Sequence, residues 1–189
     1  MDSYFILQAN ILKSLTRIYL VGYMGVGKST IAQKLAHQER LQYFDIDESI
    51  QERTRMDIRD IFARYGETLF REIETNALMA TSNYDNAVIA AGGGLPCFNR
   101  NMDWMKSQGI VIYLKMDPTQ LHARLVSERH KRPLIASKSE GELKKYIIEH
   151  LNTRKSFYEQ ADRIVDANQS VEDIVIELQK MIKEKALQS

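Results

Sequence analysis

The feature that most constrains this chain is an unbroken strand, loop and helix near its start. Arg17–Val21 reads RIYLV, a short run of apolar and aromatic residues suited to a strand. It passes directly into Gly22-Tyr23-Met24-Gly25-Val26-Gly27-Lys28-Ser29, after which Ile31, Leu35 and Ala36 recur at helical spacing. The eight residues fit G-x-x-x-x-G-K-[ST] at every fixed position. Glycines let successive amide hydrogens converge on phosphate oxygens, and the following helix adds its N-terminal dipole. The segment 22–30 therefore implies a nucleoside triphosphate site, with Gly25, Val26, Gly27, Lys28, Ser29 and Thr30 as contacts. Lys28 supplies charge to the β and γ phosphates, and the Ser29 hydroxyl is a candidate magnesium ligand. An accidental glycine-rich turn is the bland alternative, and the strand before it and helix after it weigh against that.

A chain of 189 residues suits one well-packed domain, assigned here to 16–189, with 1–15 as an N-terminal extension. Phe5, Ile6, Leu7, Ile11 and Leu12 suggest a short packing helix there; Asp2 and the polar 8–10 segment argue against a signal peptide. Basic and acidic residues nearly cancel, at 26 against 25, so no global field attracts nucleic acid or an anionic membrane. Neither is expected as a partner. Cys97 is the sole cysteine, which precludes an intrachain disulfide and suits a cytoplasmic setting.

Further strands are expected at 43–46, 87–91, 110–114 and 163–166. Helices are expected over 48–80, with breaks near 55–57 and at Gly66, and over 118–128, 140–160 and 171–185. Met102 to Met105 and Trp104 read as packing residues of one more helix. Strands alternating with helices imply a parallel sheet covered on both faces, a three-layer α/β domain.

Asp45 and Asp47 close the second expected strand. Residues two apart on a strand share a side, so both carboxylates are expected to face the phosphate loop. One would hold magnesium and the other would receive a hydrogen bond or proton from an attacking hydroxyl. A helix cap at Glu48 competes equally with that reading. No Asn-Lys-x-Asp occurs, which disfavours a guanine-nucleotide switch.

Taken in order, GYMGVGKST (22–30), FDIDESIQERT (44–54), DIFARYGETLFREIE (60–74), AAGGGLP (90–96), KRPLI (131–135) and RKSFYEQAD (154–162) resemble the shikimate kinase family. The resemblance covers most of the chain after Ile18. It implies an αβα P-loop kinase fold with a five-stranded parallel sheet and a mobile lid at about 127–139. It implies ATP as co-substrate with Mg2+, and transfer of a phosphoryl group to the 3-hydroxyl of shikimate by a cytoplasmic monomer.

By the same resemblance Asp45 supports magnesium and Asp47 contacts the reacting hydroxyl. Arg71 and Arg154 pair with the acceptor carboxylate, Glu74 orients Arg71, and Gly92, Gly93 and Gly94 approach the acceptor, Gly93 most directly. Arg132 of the lid reaches the transferring phosphate, so the implied catalytic set is Lys28, Asp47 and Arg132. Arg124 lies against adenine, and Phe62 and Phe70 wall the acceptor pocket. On its own, Arg71 reads as a surface ion pair and Arg154 as one charge on an exposed helix. His37, His122, His130 and His150 lack metal-ligand spacing and read as structural. Two rivals stay open: a kinase for gluconate or a nucleoside monophosphate, and a non-catalytic ATP-binding module.

Overall fold

The computed structural model describes residues 17–128 and 135–186. The expected extension 1–15 lies outside the described residues, as does Arg132 with the lid residues 129–134. The chain runs β1 (Arg17–Val21), α1 (Lys28–Glu39), β2 (Gln42–Asp45), α2 (Ile46–Thr54), α3 (Ile58–Ala80) and β3 (Ala87–Ala90). It continues through α4 (Asn101–Gln108), β4 (Ile110–Lys115), α5 (Pro118–Glu128), α6 (Glu140–Tyr158), β5 (Arg163–Asp166) and α7 (Val171–Ala186). Every strand pairing is parallel, in the order β2-β3-β1-β4-β5.

Alternation along the central strands divides the core into two layers. Ile18 and Leu20 of β1, Val88 and Ala90 of β3, and Ile112 and Leu114 of β4 point to one face. There they meet Ile31 and Leu35 of α1, Leu125 of α5, Ile147 of α6 and Leu178 of α7. Tyr19 and Val21, Ile89, and Val111 and Tyr113 point to the other, against Ile50 of α2, Phe70 and Leu78 of α3 and Met105 of α4. This period-two division of buried strands is what a sheet covered on both faces requires. Trp104 packs edge-on to Tyr19, the structural role expected of it. No helix among the described residues is long and apolar enough to cross a membrane.

Local chemistry sets the element boundaries. Pro118 opens α5, where its missing N–H costs nothing. Ser139 and Glu142 form a reciprocal capping box at the start of α6. Gly66, with φ 78°, interrupts α3 at the expected break. Most boundaries fall within two residues of the sequence reading, and the one that bears on the site is the end of β2 at Asp45, with α2 beginning at Ile46, two residues early. The cause is Asp45 itself, whose carboxylate accepts from the amides of Asp47 and Glu48 and caps the helix.

The strand order brings three loops together. Asp45 and Ala90 lie in register, as do Ala90 and Leu20. The end of β2, the glycine triplet after β3 and the phosphate loop after β1 therefore sit side by side at the carboxyl edge, where open α/β sheets collect ligands.

Candidate active site

The phosphate loop takes a backbone path open to glycine. Gly22, Gly25 and Gly27 have φ of 146°, 82° and 100°. A Cβ at Gly22 would also fall 2.7 Å from the Leu114 carbonyl oxygen of β4, so the loop presses against the neighbouring strand. Lys28 Nζ donates to the carbonyls of Gly22 at 2.9 Å and Tyr23 at 3.0 Å, which holds the ammonium over the loop. Beside it lies a cavity of about 460 Å3 lined by Gly25, Gly27, Lys28, Ser29, Thr30 and Arg124, among others. Arg124 donates to the Val26 carbonyl at 3.2 Å, which places this residue of α5 at the cavity wall.

Ser29 Oγ donates to Asp45 Oδ2 at 2.6 Å, while Asp45 Oδ1 takes the two capping amides. The helix-cap reading of Asp45 is therefore observed, with one carboxylate oxygen capping α2 while the other meets the Ser29 hydroxyl. Asp47 does not lie on the strand, contrary to expectation. Asp47 belongs to the first turn of α2, and the cap at Asp45 sets its direction, not strand alternation. Its Oδ1 lies toward the glycine triplet, where a Cβ on Gly92 would come within 2.9 Å.

The triplet's function is room. A Cβ on Gly92 would also sit 2.6 Å from Glu74 Oε1, and one on Gly94 would sit 2.7 Å and 2.9 Å from the terminal nitrogens of Arg71. One on Gly93 would lie 3.7 Å from Arg154 Nη1 and 3.2 Å from the Met24 amide of the phosphate loop. The charged side chains of Asp47, Arg71, Glu74 and Arg154 converge on the triplet.

Arg71 and Arg154 are buried, each retaining less than a tenth of its exposure. Glu74, 2% exposed, accepts from Arg71 Nη1 at 2.6 Å, and the exposed Glu67 accepts from Nε and Nη2. Phe98, Phe70 and Phe62 surround the same guanidinium, with ring centroids 4.3, 5.3 and 5.7 Å away. Burial holds the Glu74 carboxyl above the usual carboxylate range, against the pull of Arg71, and the Asp47 charge adds to the rise. Arg71 is thus no surface ion pair. It is a guanidinium fixed on its faces by rings and on its edges by carboxylates, an arrangement that presents a planar donor fork.

A family model described as Shikimate kinase matches residues 24–183. The chain belongs to the shikimate kinase family. A shikimate kinase of Bacteroides fragilis is 37% identical over 172 residues, spanning 88% of this chain and 96% of that protein. The crystal structure of shikimate kinase from Bacteroides thetaiotaomicron superposes with a TM-score of 0.85 at 36% identity, covering 89% of this chain and 99% of that one. Shikimate kinase from Acinetobacter baumannii, solved in complex with shikimate, gives the same TM-score at 29% identity, covering 92% and 96%.

One member of the site escaped the sequence reading. His150 of α6 shares a hydrogen bond of 3.0 Å between its Nδ1 and the hydroxyl of Tyr23 in the phosphate loop. The available signal was the four-residue spacing of Tyr146, His150, Arg154 and Tyr158, which puts all four on one helix face. Tyr158 donates to the Gly93 carbonyl, and Tyr146 packs against His150. Burial pushes the imidazole down to about 4, with the charges of Arg154 and Arg71 adding to the fall and Glu67 opposing it; Tyr23 and Tyr146 are the other titratable groups facing the ring. The folded value lies below the unfolded one near 6.5. The contribution to stability is therefore full above that value and is lost as pH falls through about 4. Melting temperature between pH 7 and 4 is expected to fall less steeply for His150→Asn than for the parent chain. Parallel curves would remove His150 from the acid response.

Proposed function

We propose that this chain transfers the γ-phosphoryl group of ATP to the 3-hydroxyl of shikimate, giving shikimate 3-phosphate and ADP on the route to chorismate and the aromatic amino acids. The observation that carries the acceptor assignment is the pair of buried guanidiniums, Arg71 and Arg154, at a glycine triplet one strand from the phosphate loop. A small acceptor whose carboxylate pairs with both guanidiniums would offer a hydroxyl at its other end to Asp47, whose Oδ1 also lies toward the triplet. Family membership supports the same reading.

In this account the attacking hydroxyl oxygen forms a bond to the γ-phosphorus as the bond to the β-phosphate oxygen breaks and ADP leaves. Asp47 aligns the hydroxyl and receives its proton. Lys28 offsets charge on the transferring group, and Arg132 is assigned the same task from the family resemblance. Arg71 and Arg154 anchor the carboxylate, and Glu74 holds Arg71 in orientation. Positioning and charge neutralisation supply most of the acceleration.

Ser29 Oγ and Asp45 Oδ2 are hard oxygen donors converging at the phosphate end, and they fit a magnesium ion that retains several waters. Held by Ser29 and Asp45, such an ion would supply positive charge to offset the charge that develops on the phosphates. Asp45→Asn is expected to keep the helix cap, because Asn caps about as well as Asp, while raising the magnesium needed for half-maximal rate. Asp45→Ala should lose the cap as well, at about 1 kcal/mol of stability. An unchanged magnesium requirement in Asp45→Asn would remove Asp45 from the metal site. We assign the protein to the cytoplasm as a monomer, without nucleic-acid or membrane partners, in line with its near-zero net charge.

The acceptor assignment is tested by Arg71→Ala, which should raise the shikimate KM far more than the ATP KM. Loss of a charge-assisted bond of about 1.5–3 kcal/mol corresponds to a change of roughly 10- to 150-fold. Equal changes in both constants would refute the role given to Arg71.

A further inference from the structure

We propose that His150 is a positioning residue which, through Tyr23, holds the phosphate loop in register with the helix that carries Arg154. The inference rests on the phosphoryl-transfer reading above and adds a residue to it.

Tyr23 has two attachments that pull on different parts of the site. Its carbonyl receives the Lys28 ammonium at 3.0 Å and the Val26 amide at 3.3 Å, so its backbone helps set both the lysine and the curl of the loop. Its ring is 1% exposed and meets His150 edge-to-face, at 5.6 Å between centroids and 82° between planes. The hydroxyl ends on His150 Nδ1. A buried hydroxyl with a fixed partner has one orientation, and a misplaced one leaves polar atoms unsatisfied.

On the same face of α6, one turn on, Arg154 reaches the glycine triplet, and one turn further Tyr158 donates to the Gly93 carbonyl. One turn before His150, the Tyr146 ring carries the Lys138 ammonium at 4.6 Å. A single helix face therefore grips the phosphate loop at Tyr23 and the acceptor loop at Gly93. The distance between the transferred phosphate and the acceptor hydroxyl depends on these two loops keeping their spacing. Small errors in that spacing cost rate more than affinity.

The competing explanation is a core tyrosine satisfied by the nearest polar group. The two separate in kinetics. His150→Leu and Tyr23→Phe are each expected to lower kcat about tenfold, equivalent to one hydrogen bond of about 1.4 kcal/mol, with both KM values within about twofold of the parent. The double variant should lose no more than either single one, because the two side chains act through one bond. His150→Asn, whose amide can occupy the Nδ1 position as donor or acceptor, should restore most of the rate. Slow ATP hydrolysis without acceptor, measured on the same variants, should fall as well, because the Tyr23 carbonyl helps place the Lys28 ammonium whether or not an acceptor is present. This second readout decides the proposal even if shikimate proves not to be the acceptor, a result that would count against the acceptor assignment alone. Unchanged kcat and hydrolysis in the single variants, additive losses in the double, or no rescue by Asn would overturn the positioning role.

Discussion

Asp47→Asn is expected to lower kcat for shikimate phosphorylation by about 10²–10⁴-fold, with the ATP KM little changed. Asparagine preserves the shape of the side chain and its place in the first turn of α2, so the cap at Asp45 survives. What is lost is the capacity to receive a proton and the full strength of a hydrogen bond to the attacking hydroxyl. Asp47 is poorly placed to act on the phosphate end, because its Oδ1 lies toward Gly92 and Ser29 is engaged by Asp45. A large effect on kcat with an intact nucleotide affinity is the signature of that placement. An effect of less than about fivefold would mean that positioning alone carries the reaction and that the proton leaves directly to solvent.

Lys28→Ala carries the other large effect, a fall in kcat of about 10²–10³-fold, the range for removing one fixed charge from a transition state. Lys28→Arg should not restore activity. The ammonium is held between two carbonyls of its own loop, at 2.9 and 3.0 Å, and a planar guanidinium cannot reproduce that point-charge geometry. Stability should change little, because the aliphatic stem of Lys28 adds little to either core layer. Recovery of more than about a third of the rate in Lys28→Arg would show that charge alone, without the loop's geometry, is sufficient.

The two covered faces of the sheet were legible because β1, β3 and β4 are near-continuous apolar runs, as strands buried on both sides require, and Pro118 marks a helix start by its own covalent geometry. The phosphate loop was legible for the same kind of reason, since Gly22 and Gly27 occupy backbone conformations that side chains disfavour. The direction of Asp47 was not legible as argued. Asp45 both ends β2 and caps α2, and only the amides of Asp47 and Glu48 on its carboxylate show that the strand does not continue to Asp47. Arg71 was assignable only by resemblance, because its flanking Glu67 and Glu74 look like surface ion pairs until burial is known. His150 was set aside because it lacks metal-ligand spacing; its place on one helix face with Arg154 was readable, but its partner Tyr23, 127 positions away, was not. The glycine triplet was recognised as a close approach, although its neighbours turned out to be the site's own charged side chains.

The identity of the acceptor decides the reaction. ADP release coupled to a spectrophotometric readout, with magnesium and ATP, compares shikimate with gluconate, AMP and no acceptor. The account predicts ADP formation that depends on shikimate and stays at the acceptor-free rate with the other two. Turnover with gluconate or AMP in place of shikimate, or ATP binding without any shikimate-dependent ADP, would contradict it while leaving the phosphate loop intact.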